Sequence, residues 1–168
     1  LGRVYRWLKQ DQRALTRLAL HFDQPDYAGQ LQLTARRAEV SCTTLTNVRT
    51  TKRSLEYTLL LDFAIRQAGI REVQFLLPES LKDARISVPL LREKTVAPAA
   101  DKPGWVKVTL LLQDDVTEQL RVLIEDDQLL TEQSCDAPIP TVLTGRTTMR
   151  YVALENTGRD EAVIEQAA

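Results

Sequence analysis

Residues 55–66, LEYTLLLDFAIR, alternate between apolar and polar side chains almost without interruption. Every odd-numbered position is apolar, and the even-numbered positions are mostly polar, with Leu60 and Ala64 as the exceptions. A period of two places the odd set on one face of a β-strand and the even set on the other. The run is longer than the usual strand of about 3–10 residues. It therefore predicts a large sheet with one buried and one solvated face, which is typical of antiparallel sheets.

Segments with the same period recur along the chain and are separated by turn signals. We interpret Gln67–Gly69 as a turn that joins the long strand to Val73–Leu77 in a hairpin. Asp114 and Asp115 are read as another turn, and residues 96–104 as an exposed loop, because that stretch contains Pro98, Pro103 and Gly104. Glu79–Lys82 is expected to form a single helical turn, and Met149–Glu155 a last strand.

Strands never alternate with convincing helices in this pattern, so a parallel α/β sheet is not expected. The sequence predicts an all-β fold, an antiparallel two-layer β-sandwich with room for long curved strands. The predicted core stripe comprises Leu55, Tyr57, Leu59, Leu61, Phe63 and Ile65 of the long strand. The same core is expected to include Val73, Phe75, Leu77, Val106, Val108, Leu110, Val122 and Ile124.

The length of 168 residues suits a single β-sandwich domain over residues 1–168. Residues 1–30 are expected to be an edge segment or a linker from a preceding module, and Arg13–Leu20 fits a strand or a helical stripe. Leu1–Leu8 does not have the pattern of a signal peptide, and the chain begins without a methionine. We therefore expect an excerpt of a larger protein.

Charge and hydropathy exclude two classes of partner. The formal net charge of −1 argues against a nucleic-acid binder, which would carry a basic excess on one face. No run of about 18 apolar residues is present, so no membrane span is predicted in this segment.

The sequence offers little for catalysis or metal binding. His21 is the single histidine, so a Ser-His-Asp triad would have to use it with Asp23 or Asp26, yet no G-x-S-x-G elbow accompanies it. Acidic pairs occur at 114–115 and 126–127, but no D-x-D-x-D-G loop brings enough oxygens together for calcium. We predict that the chain is not an enzyme, with no catalytic residue, cofactor or metal site.

Aromatic residues carry the one candidate ligand site. Trp105, with Trp7 and Tyr27, could form a platform on which sugars stack, although aromatic residues make up only 5% of the chain. Packing of Trp105 over the edge of the sandwich is the alternative.

Two cysteines, Cys42 and Cys135, leave the redox state open. Their spacing fits no CxxC redox or zinc pattern, so they are two buried thiols or one disulfide. A disulfide would need an oxidising compartment and Cα atoms within about 7 Å.

The order of several phrases resembles a known group of proteins. The long strand is followed by EVQFLLPESLKDARISV, then by GWVKVTLLLQ, CDAPIPTVL and GRTTMRYVALENTGRDE, over roughly Leu55 to Glu161. This order resembles segments of very large uncharacterised bacterial extracytoplasmic proteins of the planctomycete type. The resemblance implies a β-sandwich module in a long secreted or membrane-anchored chain, and it implies no catalytic residues.

These observations favour a non-catalytic interaction or scaffold module of a large extracytoplasmic bacterial protein. The expected partner is a protein or a cell surface, and not a nucleic acid. A carbohydrate-binding module that uses Trp105 and a calcium-dependent adhesion domain are the alternatives.

Overall fold

The structure is a computed structural model of the chain. It describes residues 4–15, 36–129 and 137–158, and residues 21, 23, 26, 28–30, 32 and 34 of the segment between the first two ranges. The chain divides into two compact units, Leu1–Ala35 and Arg36–Ala168. Whether residues 1–30 act as a linker from a preceding module stays a prediction.

The described residues of the first unit form two short helical elements. Val4–Arg6 forms one turn of 3₁₀ helix, and α1 spans Gln10–Leu15. The Gln12 side chain reaches back to accept a hydrogen bond from the Lys9 backbone N–H at 3.0 Å, which satisfies one of the unpaired donors at the start of α1. Residues 13–15 of the ambiguous segment Arg13–Leu20 are thus helical, and residues 16–20 lie outside the described residues.

The described residues of the second unit form β-strands and a single turn of 3₁₀ helix at Glu79–Leu81, where the sequence predicts a helical turn. Its strands are β1 (Glu39–Thr50), β2 (Ser54–Pro78), β3 (Arg85–Ser87), β4 (Leu91–Pro98), β5 (Trp105–Leu129), β6 (Thr141–Val142) and β7 (Arg146–Asn156).

Two bent strands, β2 and β5, build both layers of the sandwich. They pair antiparallel over almost their whole length of 25 residues each, and the register shifts between Ile65 and Glu72. The first layer has the order β3–β5–β2–β1–β7 and uses residues 54–65 of β2 and 118–129 of β5. The second layer has the order β4–β5–β2–β6 and uses the other halves. The all-β sandwich with long curved strands is confirmed.

The predicted hairpin at Gln67–Gly69 is wrong. Residues 54–78 form one continuous strand, and Gln67 takes a positive φ of 68° inside it. Leu61 and Phe75 therefore pair with opposite halves of β5 and not with each other. A bulge needs the same residue types and the same positive φ as a turn, so the local sequence does not distinguish them.

The turn predicted at Asp114 and Asp115 is wrong for the same reason. β5 runs through it, and Glu118 takes a positive φ of 71°. The Arg71 Nε lies 2.6 Å from Asp115 Oδ1, so the ion pair joins the two strands at the bend. The loop predicted over 96–104 is also shorter than expected, because β4 extends to Pro98.

The core lies between the two layers, and the prediction of its members is confirmed. Leu59, Leu61, Phe63, Val73, Phe75, Leu77, Leu110, Val122 and Ile124 are fully buried, and the remaining predicted core residues are buried as well. The alternating stripes of both halves of β2 thus face one common core, which removes from water the apolar surface that drives folding.

One strand pair departs from the antiparallel prediction. β7 runs parallel to β1, with a bulge between Cys42 and Thr43 in the register. The chain enters β7 through Gly145, whose φ is +81°. β7 is at the end of the strand order of the first layer, and all of its residues except Thr147 are exposed.

Candidate functional site

The outer face of the first layer is the face whose side chains point away from the core. Four apolar side chains cross it in one row, because Leu45 pairs with Tyr151 on one side and with Leu60 on the other, and Leu60 pairs with Leu123. Directly paired residues share a face of a sheet. We call Tyr151, Leu45, Leu60 and Leu123 the apolar row.

The apolar row is open to solvent at its β7 end. Tyr151 is 52% exposed and Leu45 37% exposed, whereas Leu60 and Leu123 are half-buried. Met149, which is 56% exposed, extends the apolar surface, and its sulfur accepts a hydrogen bond from the Tyr151 hydroxyl at 2.9 Å. A contiguous apolar patch on the solvent-facing side of a sheet often marks a binding site.

Polar side chains border the apolar row on the side of the bend. The Asp62 Oδ1 accepts a hydrogen bond from Gln119 Nε2 at 2.8 Å and lies 3.5 Å from Arg121 Nε. Thr43 and Thr148 share a hydrogen bond at 3.3 Å between their hydroxyls. These side chains are satisfied within the sheet, so this border is nearly neutral.

The opposite border of the apolar row is acidic. The Arg49 Nη1 lies 3.2 Å from Glu56 Oε2, and its Nε lies 3.8 Å from Glu155 Oε2. Asn47 donates a further hydrogen bond of 3.1 Å to Glu155. Glu125 and Asp127 continue the acidic border on β5, where Arg85 of β3 pairs directly opposite Glu125. The border thus has four carboxylates and two arginines, and it remains acidic.

Two shallow depressions open on the outer face, one on each side of the apolar row. One is lined by Ser41, Thr43, Asp62, Ala64, Glu118 and Gln119. The other is lined by Glu56, Tyr57, Thr58, Glu125, Asp126 and Asp127. The second depression places the outward-facing carboxylates of Glu56, Glu125 and Asp127 on the acidic side of the apolar row, which suits a basic group on a partner.

Trp105, the predicted ligand-binding residue, is the first residue of β5 and is half-buried. The Lys102 ammonium lies 3.1 Å from the centroid of its ring, so a cation covers one face of the indole. Trp7 is 89% exposed in the first unit, and Tyr27 lies outside the described residues. Sugar binding by Trp105 stays a prediction.

His21 lies at the surface beside an acid. Its Nδ1 is 3.3 Å from Asp23 Oδ1, and both side chains are at least 80% exposed. This exposed pair has no water-excluded surroundings of the kind that strengthen catalytic electrostatics.

Cys42 is a free and buried thiol on β1. Burial, assisted by the nearby charge of Asp62, raises the pKa of the thiol from 9.0 to about 12. Because the thiolate is the reactive form, Cys42 is an inert thiol at neutral pH. The predicted alternative of a disulfide involves Cys135, which lies outside the described residues.

The predicted acidic pairs lie within β5. Asp114 and Asp115 both flank Arg71, at 3.8 Å and 2.6 Å, and Asp126 accepts a hydrogen bond from Gln128. In the part of the chain that the structure describes, no three His, Cys, Asp or Glu side chains form a group suited to a metal ion. Among the same residues, no helix has the length and hydropathy needed to cross a bilayer.

The apolar row does not follow from the alternation of any one strand, although the sequence contains one signal for it. Leu60 interrupts the alternation of the long strand by placing an apolar side chain on the solvated face. Leu45, Leu123 and Tyr151 occupy the matching face of three other strands, and only the register aligns them with Leu60.

Comparison with known proteins assigns the chain to no family. No family model matches it, and no curated protein matches it. Among solved structures, it is similar to a non-cellulosomal cohesin from the hyperthermophilic archaeon Archaeoglobus fulgidus, with a TM-score of 0.35 and 6% sequence identity. The match covers 73% of this chain and 94% of that chain. The strand pairing and burial described above define the fold independently of this likeness.

Proposed function

We propose that this chain is a non-catalytic protein-interaction module that binds a partner protein through the outer face of the first layer. The observation that carries the proposal is the apolar row, whose side chains are aligned across four strands and remain partly exposed. A sheet needs no apolar side chains on its solvated face, and burial against a partner would remove them from water.

The acidic border defines the chemistry of the partner. Glu125 and Asp127 project beside the apolar row, and Arg49 is already engaged by Glu56 and Glu155. The partner is therefore a folded protein that presents apolar side chains flanked by lysine or arginine. Such complementarity accelerates association and selects the partner more than it adds affinity.

The non-catalytic part of the proposal is supported by the state of His21 and Cys42. His21 is exposed beside Asp23, and the pKa of the Cys42 thiol, at about 12, keeps it protonated at neutral pH. A turnover assay that scores above background and loses its signal on His21→Ala would overturn this part of the proposal.

The experiment uses a photoreactive benzoylphenylalanine at Tyr151 or Leu45, with Lys94 on β4 of the second layer as the matched control position. After irradiation in an extract of the producing cells, we expect one polypeptide to crosslink from positions 151 and 45 but not from 94. Asp127→Arg or Leu60→Asp in the same chain should remove that adduct without changing the thermal melt. Equal yields at all three positions, or adducts that ignore both substitutions, would contradict the proposal.

We also propose an extracytoplasmic location, which the resemblance over Leu55 to Glu161 to large bacterial extracytoplasmic proteins supports. Fractionation of the producing cells with an antibody against this segment tests it. Recovery with the cytoplasmic fraction alone would overturn it.

A further inference from the structure

β7 leaves one backbone edge of the first layer open. Among the described strands it pairs with β1 alone. The Thr157 N–H donates to the Thr50 carbonyl at 2.9 Å, so the backbone of Thr157 faces β1. Because alternate residues of a strand direct their N–H and C=O groups to opposite sides, Arg150, Val152 and Leu154 direct theirs to the open edge.

The other long edge of the sandwich is protected, and β7 is not. β4, the edge strand of the second layer, carries Arg92, Glu93 and Lys94 and ends with Pro98, all of which discourage pairing with another strand. β7 carries four large apolar residues that are exposed over its 11-residue length: Met149, Tyr151, Val152 and Leu154 are between 38% and 56% exposed. A long edge with apolar side chains is a template for strand addition.

The charges of β7 indicate which strand would be added. On the outer face, Arg146 lies near its start and Glu155 near its end, with Met149, Tyr151 and Ala153 between them. An antiparallel copy of the same strand reverses this order. It would place Arg146 of each copy next to Glu155 of the other, whereas an in-register parallel copy would place like charges together.

We propose that β7 pairs antiparallel with β7 of a second copy of this chain, about a two-fold axis at Tyr151. Arg150 and Val152 of one copy exchange backbone hydrogen bonds with Val152 and Arg150 of the other, and the two Tyr151 side chains are directly opposite. The first layers of both copies then form one continuous sheet. This interface is formed by the backbone edge of β7. It shares Met149, Tyr151 and Glu155 with the surface proposed to bind a partner, whereas Leu45, Leu60 and Leu123 lie outside it.

Sedimentation equilibrium and light scattering over micromolar to millimolar concentrations test the proposal. We expect the mass to rise from 19.0 kDa towards twice that value. Val152→Pro removes an N–H that faces the open edge and leaves the β1 ladder intact, so it should weaken dimerisation by roughly tenfold or more. Lys94→Pro is the matched control. The Ala99 N–H donates to the Trp105 carbonyl of β5, and backbone groups alternate along β4, so the N–H of Lys94, five residues earlier, faces away from β5. This variant should dimerise normally.

A mixing experiment tests the charge order. Arg146→Glu and Glu155→Arg, each alone, should dimerise less than the wild type, and an equimolar mixture should recover the dimer. A protein that stays monomeric at every concentration would overturn the proposal, as would a dimer that Val152→Pro leaves unchanged. Slow hydrogen exchange of the Val152 amide in a monomer would also overturn it, because the edge would then be covered within one chain. An adduct between two copies from position 151 belongs to the β7 pairing, whereas an adduct from position 45, one strand further in, that Asp127→Arg removes belongs to the outer-face partner. The two proposals therefore fail separately.

Discussion

Gln67 on β2 and Glu118 on β5 share a left-handed backbone conformation, with φ angles of 68° and 71°, on two strands that pair with each other. Both lie where the register between the strands changes. Neither is a glycine, so each costs about 1–2 kcal/mol relative to ordinary strand backbone. The buried stripes on both sides of the bend, from Leu59 to Leu77, supply the energy that holds these residues in place.

Gln67→Gly and Glu118→Gly should therefore each raise the free energy of unfolding by up to about 1 kcal/mol. Glycine adopts positive φ without steric cost, and its larger entropy in the unfolded chain offsets part of the gain. Urea denaturation measures the change. Arg66→Gly, on the same strand, is the control and should lower the free energy of unfolding by about 0.5–1 kcal/mol. A loss of equal size in all three variants would show that the bend stores no strain.

Leu61→Asp should lower the free energy of unfolding by several kcal/mol, because Leu61 is fully buried and the substitution places an unpaired charge in the core. Ala64→Asp introduces the same side chain at an exposed position of the same strand. It should change stability by less than about 0.5 kcal/mol. Similar urea midpoints for the two variants would contradict the assignment of the two faces.

Gly145→Ala should destabilise the protein more than Gly104→Ala. Both glycines have positive φ, +81° and +75°, so both substitutions introduce backbone strain. At Gly145 a Cβ would also overlap the carbonyl oxygen of Val40 and lie 2.7 Å from the Val40 Cβ, whereas nothing lies within 4 Å at Gly104. We expect the entry to β7 to shift in Gly145→Ala alone. Thermal denaturation orders the two variants, and equal losses would contradict the close approach at Val40.

Cys42 should make stability depend on pH above 9. The folded-state pKa of about 12 exceeds the 9.0 of a solvated thiol, so the unfolded chain releases its proton first. The contribution is complete below pH 9 and falls as the pH rises towards 12, by about 1.4 kcal/mol per pH unit. Urea denaturation under reducing conditions at pH 8, 9 and 10 measures it. The excess stability of the wild type over Cys42→Ala should shrink across this range, and a constant difference would refute the effect of burial.

The sequence by itself determined the fold class and the core of this protein, because a two-residue period of apolar side chains defines the buried face of a strand. The odd-numbered residues from Leu55 to Ile65 alternate with mostly polar neighbours, as do Val73 and Phe75, and each of these residues and Leu77 is buried. A period of two needs no knowledge of the partner strand, since it depends only on which face is apolar. Short-range features of this kind, such as the helical turn at Glu79–Leu81, could also be predicted locally.

The tertiary structure alone decided how the stripes are connected and which exposed residues are neighbours. Whether Gln67 makes a turn or a bend depends on β5, which begins 38 residues later and pairs with both halves of β2. The apolar row depends on register, since Leu45, Leu60, Leu123 and Tyr151 are far apart in sequence and meet only through pairing. The parallel β1–β7 pair, which puts β7 at the end of the strand order of the described residues, likewise depends on long-range packing, and no local pattern encodes it.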